Sequence, residues 1–507
     1  MLASGTGARK RRGSEVSLSR GVDPVFAIPL LSSAFGLAIA SAIGSGQAAV
    51  ALSAAGVLAM LCVLWTLLGR AAPGFVFPRL LVLLYASQAF WVLVIASVGG
   101  SSLIRETEIY VDIAQTPLRA LVPLALIPIG TTAAALVLRV RQPGASVLSA
   151  SFSKEREGSL YLVVCAFVFP LYWLLGAADR DATGVLVYAA RYLYSLLFFV
   201  PFFAGRAAVK SRLIGALWLG CILFSVIMGA LSGWRGPFAA LVLFVVGRLT
   251  VGSGPVGRRA VVVGALIVPL LMFAGIIGIA RDRLGRGGLA VVTWSRAADI
   301  AEIGYDAILR GGSERGTESP YVRGLERMVA WSNIAVPLLS PNPIPYRGLS
   351  GLSSEIGAMI RISALEGDYS LKGRDELVAA GFFTAPANQY GFVVNDETSV
   401  EFGLLPDAWS RGGPVACIVV GFLVAVVVIG VEGWILLRMR SQWDSSILLF
   451  CAATKCIVDG YSAPLQFVLR RVCLDLLFVA LVTSLTRVAL RRSRRLGVGP
   501  AEQSGAQ

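Results

Sequence analysis

The chain has 507 residues, 56% of them apolar and only 15% charged, with a mean hydropathy of +0.74, a balance that excludes a soluble globular domain. Its net charge of +15 does not mark a nucleic-acid binder, because the segment 281–412 carries 13 basic against 16 acidic residues and the excess lies in short runs between apolar stretches. There is no histidine, and all seven cysteines lie within apolar stretches, so a histidine base, a histidine metal site and a disulfide-stapled external domain are excluded together.

A membrane span needs about 20 mostly apolar residues. Twelve stretches meet or approach that length: 24–43, 48–69, 76–98, 117–138, 159–177, 185–204, 213–231, 237–250, 260–280, 413–436, 446–459 and 472–489. The fold class expected is therefore all-α, a polytopic membrane helix bundle with about 12 transmembrane helices and one large, mostly helical external loop. Residues 1–23 form a basic N-terminus, 24–280 the first nine spans, 281–412 the loop, 413–489 the last three spans and 490–507 a basic tail. "GARKRRGSEVSLSR" precedes a full-length span without a small-residue cleavage site, so the first helix is expected to stay as an anchor.

Lysine and arginine in short loops set orientation. With the N-terminus cytoplasmic, that side collects Arg9 to Arg12, Arg70, Arg79, Arg139, Arg141, Arg206, Lys210, Arg212, Arg258, Arg259, Arg438 and Arg440, whereas the opposite short loops hold few cations. An even number of spans returns the C-terminus to the cytoplasm. Nine spans, a loop and three spans make a lopsided order without the two similar halves of many transporters.

Span six carries Arg191 in "VLVYAARYLYSLLFF", flanked by Tyr188, Tyr192 and Tyr194. An arginine at mid-helix depth costs about 2.5–3.5 kcal/mol on insertion scales, so Arg191 is expected either to face a polar cavity suited to an anionic group or to snorkel or pair internally. Spans seven and eight meet at "SGWRGP", where Gly233 and Gly236 permit a tight turn and Arg235 sits at the external surface. A guanidinium there grips phosphate in a bidentate fork, or marks the headgroup level beside Trp234. Span nine emerges as "GIARDRLGRGG", placing Arg281, Arg283 and Arg286 above the same face, as a pyrophosphate cradle or as headgroup contacts.

Within the loop, "WSRAADIAEIGYDAILRGG" has helical spacing ended by a Gly pair, and "SPYVRGLERMVAWSNIAVPLL" opens with a Ser-Pro helix start. Arg323 and Arg327 share a face of the second segment. "SPNPIPYRGLSG" holds Pro341, Pro343 and Pro345 and is expected to be an irregular turn, with Tyr346 and Arg347 after it. The loop is thus expected to be a small helical cap over the external face. Glu355, Asp396, Glu397 and Glu401 are its candidate carboxylates for base work, and Lys455 with Asp459, four apart in span eleven, is expected to neutralise itself.

Layout and motifs together resemble the O-antigen polymerase family, the Wzy-type polymerases of oligosaccharide repeat units. The matching features are the "SGWRGP" corner, "RMVAWSNIAVPLL" followed by "PNPIPYRG", and "TSVEFGLLPDAWSRGG" entering the tenth span, over about residues 185–436. The resemblance implies a GT-C-like glycosyltransferase of the bacterial cytoplasmic membrane, joining undecaprenyl-pyrophosphate-linked oligosaccharides at the outer face without metal or cofactor. Membrane lipids and a chain-length regulator protein are its implied partners, and nucleic acid is not. It carries Arg235, Arg327 and Glu401 over as catalytic residues; Arg191 joins them from its position alone, and Arg281, Arg283, Tyr188, Tyr192, Tyr346 and Arg347 are expected as substrate contacts apart from the resemblance. "LLPDAWSRGG" departs from the pattern, inserting residues where the family passes promptly from Gly to Gly. A flippase of lipid-linked oligosaccharide and an O-antigen ligase-like enzyme stay open as alternatives, although such ligases rely on a loop histidine that this chain lacks.

Overall fold

A computed structural model describes residues 47–73, 75–98, 113–138, 172–175, 220, 223–224, 226–231, 269, 271–281, 283–285, 293–309, 320–321, 324, 329, 333–334, 403–441, 453, 457 and 461. Among these the secondary structure is entirely helical. The principal elements are α1 (Gln47–Ala71), α2 (Phe77–Val98), α3 (Pro117–Leu121), a 3₁₀ turn (Val122–Ala125), α4 (Leu126–Leu138), α5 (Leu271–Arg281), α6 (Trp294–Leu309) and α7 (Leu404–Ser441). Four stretches are long and apolar enough to cross a membrane: Gln47–Ala71, Phe77–Ser97, Pro117–Leu138 and Leu404–Ile435. They coincide with the expected second, third, fourth and tenth spans. The first, sixth, eighth and twelfth lie outside the described residues, as do most of the fifth, seventh and eleventh.

α1 and α2 form a hairpin over a short turn at 72–76. Arg79 lies over the Trp65 ring at 5.5 Å, a cation–π contact. Glu432 near the far end of α7 completes the corner: it is fully buried, and its two carboxylate oxygens accept the Val76 and Phe77 N–H groups at 2.6 and 2.8 Å. Those are orphan donors at the start of α2, and a carboxylate satisfies both them and the positive helix end. The end of α7 and the α1–α2 turn therefore share one side of the bundle, the side to which the charge pattern assigns Arg70, Arg79, Arg438 and Arg440.

The fourth span is continuous in path but not in helix type. Pro117 begins α3, Pro123 sits in the 3₁₀ turn and Pro128 falls in the first turn of α4. At helix starts a missing N–H breaks no bond, so three prolines are carried without a kink at mid-span. α4 packs on α7 through facing glycines: a side chain on Gly130 would collide with the Ile418 carbonyl, and one on Gly421 with the Ile127 carbonyl. Thr131 Oγ donates to the Ile127 carbonyl at 2.9 Å and lies 3.4 Å from that of Gly421. Without hydrophobic drive in lipid, such small-residue approach is what holds spans together.

The core centres on α1, α2, α4 and α7, with Tyr85, Phe77, Leu58, Leu61 and Leu93 wholly buried. Val63, Val137, Val415 and Leu423 point outward, as a lipid-facing surface demands. α7 is two helices in one: Leu404 to Arg411, a break at Gly412 and Gly413, then the membrane stretch from Pro414. Gly413 has φ +63°, a left-handed angle that favours glycine, and Pro414 suits the first position of the helix that follows. The expected boundary between loop and span, 412/413, falls on this break, and the stretch before it is helical.

Candidate functional site

The candidate site is built where α6 meets the expected seventh and ninth spans. The seventh stretch is helical at residues 226–231, Leu284 precedes Gly285 on a helical turn, and Gly285 has φ +73°. A helix end such as the one at Gly285 leaves carbonyls without partners and carries partial negative charge. A single guanidinium fills that need and also reaches a carbonyl of the seventh stretch. Arg296 Nε donates to the Leu231 carbonyl at 2.7 Å, Nη1 to the Leu284 carbonyl at 3.2 Å and Nη2 to the Gly285 carbonyl at 2.6 Å.

Arg296 is buried on the first turn of α6, where its own N–H is capped by the Thr293 hydroxyl at 3.2 Å, a threonine N-cap reaching N3. The fork geometry matters, because three carbonyls in different directions match a planar cation with five donors better than a lysine. Leu231 of the seventh stretch and Leu284 and Gly285 after α5 are thereby brought within one side chain of each other by α6.

Of the sequence candidates, Arg281 and Arg283 fall among the described residues, on the last turn before Gly285. Arg281 is half-buried and Arg283 exposed. The Gly285 N–H donates to the Arg281 carbonyl at 2.9 Å. Arg191, Arg235, Arg327, Glu401, Tyr188, Tyr192, Tyr346 and Arg347 lie outside the described residues, as do Arg286, Arg323, Glu355, Asp396, Glu397, Lys455 and Asp459. Leu231, held by Arg296, is four residues before Arg235.

A second polar group lies deeper. Asn333, 1% exposed, donates through Nδ2 to the Tyr461 hydroxyl at 3.2 Å, and the Tyr461 ring meets Tyr85 edge-on with centroids 4.9 Å apart. The Asn333 side-chain oxygen abuts Gly403, where any Cβ would come within 2.7 Å of it. From Gly403 the first part of α7 starts; the Asp407 N–H donates to the Gly403 carbonyl at 3.2 Å. Asp407 and Arg411, both buried, pair at 3.3 Å, and Ser410 Oγ donates to the Asp407 carbonyl at 2.7 Å. Among the described residues the Tyr85 hydroxyl and the Asn333 oxygen have no hydrogen-bond partner, which leaves polar capacity at a buried site.

Sequence reading missed Arg296, Asn333, Asp407 and Arg411. Three of these had a signal. Arg296 stands in register with Ile300, Ile303 and Ala307 along α6, a charge on the apolar face of a helix. Asp407 and Arg411 stand four apart. Asn333 had none, since a single asparagine in a mixed segment is indistinguishable from a solvated one. The inserted "LLPDAWSRGG" is the buried ion-pair helix that precedes the tenth span.

No family model, curated protein or solved structure matches this chain.

Proposed function

We propose that the protein is a polysaccharide polymerase, a membrane glycosyltransferase that joins undecaprenyl-pyrophosphate-linked oligosaccharide repeat units at the outer face of the bacterial cytoplasmic membrane, in a twelve-span, GT-C-like bundle with both termini cytoplasmic. The observation that carries the reading is the Arg296 junction. Leu231, four residues before Arg235, and the turn bearing Arg281 and Arg283 are both bonded to one guanidinium, which supports a reading in which these cations serve one diphosphate-gripping site. The reading is further supported by four described spans and by the resemblance of the loop motifs.

In this reaction a hydroxyl of one unit's non-reducing sugar attacks the anomeric carbon of the other chain. The carbon–oxygen bond to pyrophosphate breaks, and the polyprenyl pyrophosphate leaves with its electron pair. Arg235, Arg191 and Arg327 stabilise charge growing on the leaving oxygen, and fixed guanidinium groups in a dry site do so without reorganisation. Glu401 takes the proton of the attacking hydroxyl. Arg281, Arg283, Tyr188, Tyr192, Tyr346 and Arg347 hold the diphosphate and the sugars.

Purified full-length protein in detergent, supplied with lipid-linked repeat units, tests this directly. Longer lipid-linked chains are expected, and Arg235→Ala and Arg191→Ala abolish them at unchanged protein level. Units that stay one repeat long in detergent, yet move across the bilayer of reconstituted vesicles, overturn the reading in favour of a flippase.

A further inference from the structure

α6 has three distinct faces. At about 100° per residue, Arg296, Ile300, Ile303, Gly304 and Ala307 fall on one arc, and this arc is the packed one. Ile303 and Ala307 form a cluster with Ile279 and Ala280, joined by Ile300 and Leu284. Asp299, Glu302 and Asp306 fall on a second arc. The third holds Trp294, Ala298, Ala301, Tyr305, Ile308 and Leu309, with no charge among them. It is the open one: Trp294 is 92% exposed, Tyr305 64%, Leu309 63% and Ile308 48%.

The depth of this open face follows from what the packed face touches. Arg296 is bonded to Leu284 and Gly285, whereas Gly304, eight residues on, lies against Ile276, where a Cβ would come within 3.2 Å. α6 therefore runs antiparallel to α5, and as it advances its partner positions move back toward the middle of the ninth span. α5 is itself an apolar helix, and the stretch 260–280 that contains it is the ninth expected span. Two later residues also lie beside α5, since Gly275 abuts the Pro320 carbonyl and Gly324 the Leu271 carbonyl.

We propose that α6 is a re-entrant helix that dips beside the outer half of the ninth span and presents its Trp294–Leu309 stripe to the acyl chains of the outer leaflet. Three features select lipid as the occupant. The helices bonded to or packed on α6 also turn large apolar side chains outward, Phe273 at 37% exposure on α5 and Phe224 and Ile227 at 44% and 57% on the seventh stretch, as lipid-facing helices do. All three acids of the helix are confined to another arc. Trp294 sits on the turn that Arg296 fixes at the ends of two spans, the headgroup level where tryptophan is enriched. The expected cap over the external face is thus, in its first helix, a wall inside the leaflet. This concerns depth rather than chemistry, so it stands or falls apart from the polymerase reading.

The test uses the full-length chain in vesicles of phosphatidylcholine bearing a diazirine on the acyl chain, irradiated and mapped by mass spectrometry, with a water-soluble carbodiimide and an amine applied to a parallel sample. The expected result is carbene adducts on Tyr305, Ile308 or Leu309 at a yield within about threefold of those on Phe224 and Ile227, with carbodiimide modification of Asp299 and Glu302. Labelled span seven with no adduct on α6 overturns the proposal, whether water, a second copy or another segment of the chain covers the stripe. Adducts at Asp299 and Glu302 as abundant as those at Tyr305 overturn it too, because the helix then has no lipid-facing side.

Discussion

Arg296 holds three carbonyls from two segments, and removing it leaves part-buried acceptors without donors. A buried group left unsatisfied costs about 1–3 kcal/mol, so Arg296→Gln is expected to lower the temperature at which the detergent-solubilised protein loses its monodisperse chromatographic peak. Arg296→Lys, with charge but no planar fork, is expected to fall between the two. An unchanged profile for the glutamine variant contradicts the junction. Glu432 performs the mirror task for the α2 N-terminus. Glu432→Ala is expected to destabilise by about 0.5–2 kcal/mol, the scale of a lost N-cap, with Glu432→Gln intermediate because it keeps an acceptor. Thermal melts of the two variants beside wild type decide this. Neither residue stands out by composition, because each is one charge inside an apolar or mixed run, and its partners are 65 and 356 residues away for the longest hydrogen bonds.

Four of the spans were legible. The stretches 48–69, 76–98 and 117–138 match Gln47–Ala71, Phe77–Val98 and Pro117–Leu138, since hydropathy over about 20 residues responds to the same burial that the bilayer imposes. The loop segment starting at Trp294 is likewise helical to Leu309. Which helices touch was not legible, because spans are apolar all round and their contacts depend on where a glycine on one faces a backbone carbonyl on another. Gly130 and Gly421 illustrate it, lying 291 positions apart with nothing in either local sequence naming the other. Gly421→Leu is expected to separate α4 from α7 and prevent stable insertion, read as loss of folded protein from membranes, whereas Ala at Gly56, which has no atom within 4 Å of its would-be Cβ, is expected to be tolerated. The break in α7 makes a parallel case. Gly413→Ala is expected to destabilise by about 1–2 kcal/mol for a left-handed angle, while Gly412, in extended backbone, accepts alanine more readily in the same thermal assay.

At the scale of the molecule, two charged side chains join segments far apart in the chain. Glu432 ties the exit of α7 to the entry of α2, and Arg296 ties Leu231 and the turn after α5 to the first loop helix. Charge counting assigns sides to loops, but it does not say that two particular segments share a guanidinium, and that is why Arg281 and Arg283 were legible as candidates while Arg296, marked only by its register on α6, was missed. The polymerase account needs this second junction to collect cations around a diphosphate. Its central claim is most directly measured as the affinity of the full-length protein in nanodiscs for polyprenyl pyrophosphate and for polyprenyl monophosphate, in wild type and in Arg235→Ala and Arg281→Ala. A charge-assisted hydrogen bond contributes about 1.5–3 kcal/mol, so tighter binding of the pyrophosphate and a loss of about tenfold or more in each variant are predicted. Equal affinity for the two lipids, or variants that bind pyrophosphate as wild type does, would contradict it.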